Sequence, residues 1–126
     1  MVVYRFMGKE EFSRFTAGVE IVGKHYHHAR TTSHGVCFLP EFPCEGDEGY
    51  VPPEYCYDFL SGIVSGDVLV KFETDQELTH SRGIYAAENG RFAMDELCIP
   101  SYSRDNFTAL AYAIPGELPA VWYELK

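Results

Sequence analysis

The sequence predicts a single α+β domain with a compact, mostly antiparallel split β-sheet core of about seven strands and two short helices near the front. Helical spacing of apolar residues occurs twice in the first half, whereas strand-like alternation dominates the second half. A chain of 126 residues fits one domain, and a composition of 46% hydrophobic and 15% aromatic residues can fill its core. Because no linker, repeat or low-complexity segment divides the chain, we expect the domain to span residues 1–126.

The chain begins with a predicted strand followed by a short helix. Residues 2–7 alternate between two faces, as in a strand. Gly8 can cap the helix, and Glu10 and Glu11 then fall in its first turn, where acids favour the positive end of the helix dipole. Gly18 is a suitable stop.

The next part of the chain predicts two loops, a strand and a second helix. Residues 23–34 are polar, basic and rich in histidine, which indicates a loop. A short strand is expected at 35–39, followed by an exposed loop of proline, glycine and acidic residues at 41–53. Proline is well placed at the first position of a helix, so Pro53 predicts a second helix over 54–61.

The remaining sequence predicts five strands joined by turns. Residues 107–114 are apolar on both faces, which is typical of a central strand. A turn-like segment precedes residue 83, and a Glu-Asn-Gly turn precedes residue 91. The five predicted strands are 67–73, 83–87, 91–99, 107–114 and 120–125.

Charge and cysteine content narrow the class of protein. With 10 basic and 19 acidic side chains the net charge is −9, which disfavours nucleic acid as a partner. No stretch approaches the roughly 20 apolar residues that cross a bilayer. The amino terminus does not resemble a signal peptide, so we expect a cytoplasmic protein with no membrane partner. Free, buried thiols are therefore predicted for the four cysteines, which are Cys37, Cys44, Cys56 and Cys98.

Histidines and acids offer candidate metal ligands without a recognised spacing. In the run of His25, His27 and His28, the alternating pair His25 and His27 could converge on zinc if the segment is extended, but a solvated polar loop is the simpler interpretation. Metal-dependent hydrolysis through this loop stays a third functional hypothesis, and no metal ligand is assigned. The acidic segment 41–54 lacks calcium-loop spacing, and neither a serine-hydrolase elbow nor a phosphate-binding glycine loop is present.

Three other positions place charged or hydroxyl side chains inside or next to predicted strands. Arg5 lies inside the first strand, where it needs either a structural acid partner or a bound anion. Glu96 shares a strand face with Cys98, either as a strand-edge acid or as a carboxyl with a perturbed pKa. The hydroxyls of residues 31–33, Thr-Thr-Ser, lead directly into a strand.

Together these positions resemble the Arg, Ser-Thr-Ser and Glu motifs of the ADP-ribosyltransferase superfamily, in the same order along the chain. The resemblance implies that Arg5 holds a phosphate or ribose of NAD. It implies that Ser33, or the neighbouring Thr32, braces the nicotinamide ribose and the catalytic acid. Glu96 would then stabilise the oxocarbenium-like ribosyl centre. Tyr85 would stack on the nicotinamide ring.

The resemblance predicts NAD as substrate, with ADP-ribose transferred to a small molecule or protein acceptor, or NAD hydrolysed. Arginine-modifying members carry Gln or Glu where this chain has Met94, so the acceptor stays open. The dinucleotide is expected beside the first strand and the His-rich loop, where basic residues concentrate. The alternative is a non-enzymatic binding module, possible as a degenerate relative, whose aromatic residues can line a groove or an oligomer contact as readily as a core. Its candidate residues are Tyr50, Tyr55, Tyr57, Tyr102 and Trp122.

Overall fold

The computed structural model describes residues 1–28, 31–40, 66–87, 90–114, 117 and 121–125. Within these ranges the chain forms ten strands and one helix. In chain order they are β1 (Val2–Met7), α1 (Lys9–Thr16), β2 (Ile21–Val22), β3 (Lys24–His28), β4 (Thr31–Phe38), β5 (Val68–Thr74), β6 (Thr79–Ala87), β7 (Gly90–Ile99), β8 (Ser101–Tyr102), β9 (Phe107–Ala113) and β10 (Tyr123–Glu124).

The strands form three sheets, and each pairing among the described strands is antiparallel. One sheet has the order β1-β5-β9-β10, a small one pairs β2 with β8, and the third has the order β3-β4-β7-β6. The predicted α+β class, with about seven strands in one split core, is therefore wrong. The described protein is mostly antiparallel β-structure in three sheets, with one helix.

The largest error lies in the His-rich segment, which is a hairpin rather than a loop. β3 pairs with β4 in a continuous register that sets His25 opposite His34 and Tyr26 opposite Ser33. The polar residues of this segment show no hydrophobic alternation, so the pattern that predicts strands could not reveal the hairpin. β6 likewise begins at Thr79, inside a segment predicted as a turn.

The front of the chain and the central strands follow the sequence prediction. β1 has the predicted bounds, and α1 starts after its cap at Gly8. Gly18 follows the helix with a positive φ of 83°. β9 lies between β5 and β10, as a strand that is apolar on both faces requires. The predicted loop at 41–53 and second helix at 54–61 lie outside the described residues.

An aromatic core fills the space between the first sheet and the β4–β7 pair. Phe38 stacks on Phe107 with ring centroids 5.0 Å apart and meets Phe72 edge to face. Tyr102 packs against both Phe38 and Phe107, and it is 1% exposed. Each such aromatic pair adds roughly 0.5–1.5 kcal/mol beyond its buried area, so the cluster stabilises the packing of the two sheets.

Strand β4 changes its partner at Gly35. Residues up to Gly35 pair with β3, whereas Val36 to Phe38 pair with β7. Gly35 has a φ of 85°, and a Cβ at this position would collide with the carbonyl oxygen of Ile99. Only glycine therefore lets β4 turn closely onto the end of β7. This turn sets the register on which the candidate site depends.

Leu39, at the end of β4, joins the third sheet to the first. Its backbone exchanges two hydrogen bonds with Tyr4 of β1. This bridge carries the neighbouring Arg5 up to the backbone of β4. Within the described ranges, no helix has the length and apolar character needed to cross a membrane.

Candidate functional site

The β4–β7 pair has one apolar face and one polar face. Cys37 lies directly opposite Cys98 in the register, and Glu96 lies two residues before Cys98 on the same face. Their sulfur and carboxylate oxygen atoms all lie within 4.8 Å of one another. Glu96 is 3% exposed and Cys98 4%, while Cys37 is half-buried. We call these three residues the thiol–carboxylate cluster.

The two thiols of the cluster act as a coupled pair. A hydrogen bond between them raises the pKa of Cys37, and burial and the Glu96 charge raise it further. The same hydrogen bond lowers the pKa of Cys98, assisted by the positive charge of Arg5, against burial and Glu96. Of the two thiols, Cys98 therefore ionises more readily, and the Cys37 thiol donates the hydrogen bond between them.

Arg5 approaches the cluster from the backbone side of β4. Its Nη1 donates a hydrogen bond of 2.9 Å to the carbonyl oxygen of Cys37. Its Nε and Nη2 donate to the two carboxylate oxygens of Glu11 at 2.7 and 2.9 Å. Glu11 also accepts a hydrogen bond of 2.7 Å from the hydroxyl of Tyr102. The guanidinium is thus held by a carboxylate of α1 and a carbonyl of β4.

This network controls the ionisation of its members. Burial opposes the charge of Glu11, but the hydrogen bond and charge of Arg5 outweigh burial and lower the pKa of Glu11. Burial likewise opposes the charge of Arg5, and Glu11 outweighs it and raises the pKa of Arg5. Burial and the nearby Glu11 charge raise the pKa of Tyr102. Arg5 and Glu11 therefore stay charged, and Tyr102 stays a neutral donor.

Two sulfurs and one carboxylate oxygen form a donor set suited to a thiophilic divalent cation. Zinc binds cysteine at about 2.3 Å and carboxylate oxygen at about 2.0–2.2 Å in a tetrahedral arrangement. Two sulfurs on one tetrahedral zinc lie roughly 3.8 Å apart, so side-chain rotations would bring the cluster into coordination. Three protein ligands leave a fourth position for water or another donor.

Two of the five predicted site residues meet at this cluster. Arg5 contacts the backbone of Cys37, and the Glu96 carboxyl lies beside the Cys37 thiol. The anion expected at Arg5 is the carboxylate of Glu11, as in the structural ion-pair interpretation.

The other three predicted residues are placed by backbone register alone, since the side chains of Thr32, Ser33 and Tyr85 lie outside the described part of the chain. Ser33 pairs with β3, and it is four residues, roughly 13 Å, along β4 from Cys37. Tyr85 lies opposite Phe92, which is the same distance along β7 from Glu96. The register sets neither residue opposite the cluster.

The other candidate features can be placed only in part. His25, His27 and His28 lie in β3, with side chains outside the described residues. Tyr102 belongs to the core, which is one of the positions that the sequence left open for it, rather than to a groove or an oligomer contact. Trp122 packs against Tyr4 at a centroid distance of 6.0 Å. The remaining aromatic candidates, Tyr50, Tyr55 and Tyr57, lie outside the described ranges.

Sequence reasoning paired Glu96 with Cys98 but missed Cys37. The missing information was the register of β4 against β7, two strands that are distant from each other in sequence. One usable signal was present, since each of these predicted strands carries a single cysteine flanked by apolar residues.

Comparisons with known proteins give no relative: no protein-family model, curated protein or solved structure matches this chain.

Proposed function

We propose that this protein binds a thiophilic divalent metal ion through Cys37, Glu96 and Cys98. The chemistry of these donors favours zinc. The observation that supports the proposal most directly is the convergence of three ligand atoms within 4.8 Å on two paired strands. Thiolate and carboxylate donors together suit zinc, whereas calcium and magnesium prefer oxygen donors alone.

Charge supports the same proposal. The cluster holds three groups that become anionic, and two of them are almost fully buried. A divalent cation would offset the charge of two thiolates and a carboxylate, so metal binding would release the thiol protons. The positive charge of Arg5, on the backbone side of Cys37, would repel a cation, but it is paired with the Glu11 carboxylate.

Metal binding to reduced protein tests the proposal. We expect the metal-free protein to take up one equivalent of Zn²⁺, measured by equilibrium dialysis with elemental analysis on protein made without a histidine tag. Co²⁺ should give the thiolate-to-cobalt charge-transfer absorption. Cys37→Ser and Cys98→Ser should each abolish this absorption, and Glu96→Gln should weaken zinc binding at least tenfold.

The matched control for the carboxylate is Glu10→Gln, an exposed glutamate at the start of α1. It should bind zinc as the wild type does. Zinc binding that survives the double substitution Cys37→Ser and Cys98→Ser would overturn the proposal, and so would a reduced wild-type protein that takes up no metal. Circular dichroism of each variant establishes that it is folded.

A second candidate function is NAD binding of the ADP-ribosyltransferase kind, with Glu96 acting on the ribose rather than on a metal. The observation that favours it is that Arg5 and Glu96 both lie beside Cys37. The Arg5 guanidinium is already hydrogen-bonded to Glu11, which argues against its binding a phosphate of NAD.

Thermal unfolding with millimolar NAD, in metal-free buffer, separates the two candidates. The NAD hypothesis predicts a higher midpoint in wild-type protein and a smaller rise in Glu96→Gln. It also predicts slow release of nicotinamide by wild type alone. An unchanged midpoint in wild-type protein, together with stoichiometric zinc binding, would reject NAD in favour of the metal.

A further inference from the structure

We infer that Cys37 and Cys98 form a reversible disulfide with each other when the protein meets a low-molecular-weight disulfide, and that this bond expels the metal. The first half of the inference stands on the strand register alone. The second half, expulsion, rests on the proposed metal-binding function.

The register brings the two cysteines within bonding range. Residues directly opposite in antiparallel strands have Cα atoms about 4.5–5.5 Å apart, and disulfides span Cα distances of about 4.4–6.8 Å. Cys37 and Cys98 are such a pair, and their sulfurs already lie within 4.8 Å. Side-chain rotation and a small local change in twist therefore suffice, with the strand pairing kept.

The surroundings favour reaction at Cys37 first. Cys37 is half-buried and can be approached from solvent, whereas Cys98 is 4% exposed. Cys98 is then placed as the second, resolving thiol.

The chemistry is two successive thiol–disulfide exchanges. In the metal-free protein, the Cys37 sulfur gives up its proton and attacks one sulfur of the small disulfide. That S–S bond breaks, and the leaving thiolate takes the proton. The Cys98 sulfur then gives up its proton and attacks Cys37, and a second small thiol leaves. Two cysteines are oxidised by two electrons, and one small disulfide is reduced to two thiols.

The same bond removes the metal ligands. A disulfide has no thiolate, so a metal bound to Cys37 and Cys98 loses two of its three protein ligands and retains only Glu96. Disulfide formation and metal binding therefore exclude each other on the same atoms. The redox state of the surroundings would set whether the cluster carries metal.

The pairing is tested on metal-free protein equilibrated with glutathione disulfide. We expect a mass loss of two hydrogen atoms and a peptide map that links Cys37 to Cys98, both reversed by excess reduced glutathione. The variant Cys44→Ser with Cys56→Ser leaves only this pair among the four cysteines and should behave identically. Stable glutathione adducts on Cys37 or Cys98, or a different pairing in wild-type protein, would overturn the inference.

Expulsion is tested by adding glutathione disulfide to zinc-loaded wild-type protein and measuring released zinc with a colorimetric chelator. We expect complete release in step with disulfide formation, and zinc that stays bound after the disulfide forms would overturn expulsion. The control Glu10→Gln, at an exposed residue of α1 outside the cluster, should form the disulfide and release zinc as the wild type does. If the disulfide forms in a protein that never binds zinc, the proposed function fails and the pairing stands.

Discussion

The two faces of the β4–β7 pair differ completely, although they are built from alternate residues of the same strands. On one face Val36 and Phe38 pack into the aromatic core with Leu97 and Ile99 beside them. On the other face lies the thiol–carboxylate cluster. Because side chains alternate along a strand, a single register serves stability on one face and chemistry on the other.

The core face explains how the residues of the cluster are held in position. The core face fixes β4 against β7, and this pairing alone sets Cys37 opposite Cys98. We therefore expect substitutions on the core face to affect folding, and substitutions on the cluster face to affect ligand binding.

The largest effect is expected from Phe38→Ala on the core face. The side chain is 1% exposed and contacts three aromatic rings, so its removal should cost about 3–5 kcal/mol of the free energy of unfolding. Urea denaturation of the metal-free, reduced protein measures this. The control Val22→Ala, at a side chain that is 68% exposed, should change stability by less than about 0.5 kcal/mol. A small loss for Phe38→Ala would mean that the two faces do not divide these roles.

The sequence predicted one face of this pair much better than the other. Alternation in 91–99 located most of β7, and the apolar residues of 35–39 located the end of β4. The sequence pattern could not predict that these two strands pair, because register depends on contacts between residues that are distant in the chain. The cluster depends on that register, so the sequence revealed only that Glu96 and Cys98 share a strand face.

The sequence prediction missed the hairpin of β3 and β4 for a different reason. Its polar residues show no hydrophobic alternation, which is the pattern that predicts a strand, although β3 and β4 pair in a continuous register. For Arg5, the sequence correctly demanded a partner but could not choose between a bound anion and Glu11. The choice depends on how α1 packs against β1, which local pattern does not encode.

The next largest effect is expected from Gly35→Ala, which alters both faces by shifting the register. A side chain here is strained at a φ of 85° and collides with the backbone of Ile99, so we expect a loss of about 2 kcal/mol. Zinc binding should weaken as well, since Cys37 moves relative to Cys98. Gly8→Ala is the control, because its Cβ would meet only Asp67 at an ordinary 3.7 Å. Equal losses for the two variants would argue against a special role for Gly35.

A smaller effect is expected from Glu11→Gln, which weakens the support beneath the cluster. Loss of the charged partner of Arg5 should cost about 1.5 kcal/mol at pH 7. Because the folded state lowers the pKa of Glu11, its contribution is present above the unfolded pKa and is lost as pH falls through the folded pKa. The difference in stability between wild type and Glu11→Gln should therefore be full at neutral pH and shrink below about pH 4. Denaturation curves across this range measure it, with Glu10→Gln as control, and a difference that persists at low pH would contradict the assignment.

The smallest effect on folding is expected from Cys37→Ala, one residue from Phe38 but on the cluster face. In metal-free, reduced protein its half-buried thiol should contribute less than about 1 kcal/mol. With zinc present the result should change, because zinc stabilises only a folded protein that retains its ligands. Saturating zinc should raise the unfolding midpoint of wild type and leave that of Cys37→Ala unchanged. A large loss in the metal-free protein would make Cys37 a packing residue, and the functional division between the two faces would disappear.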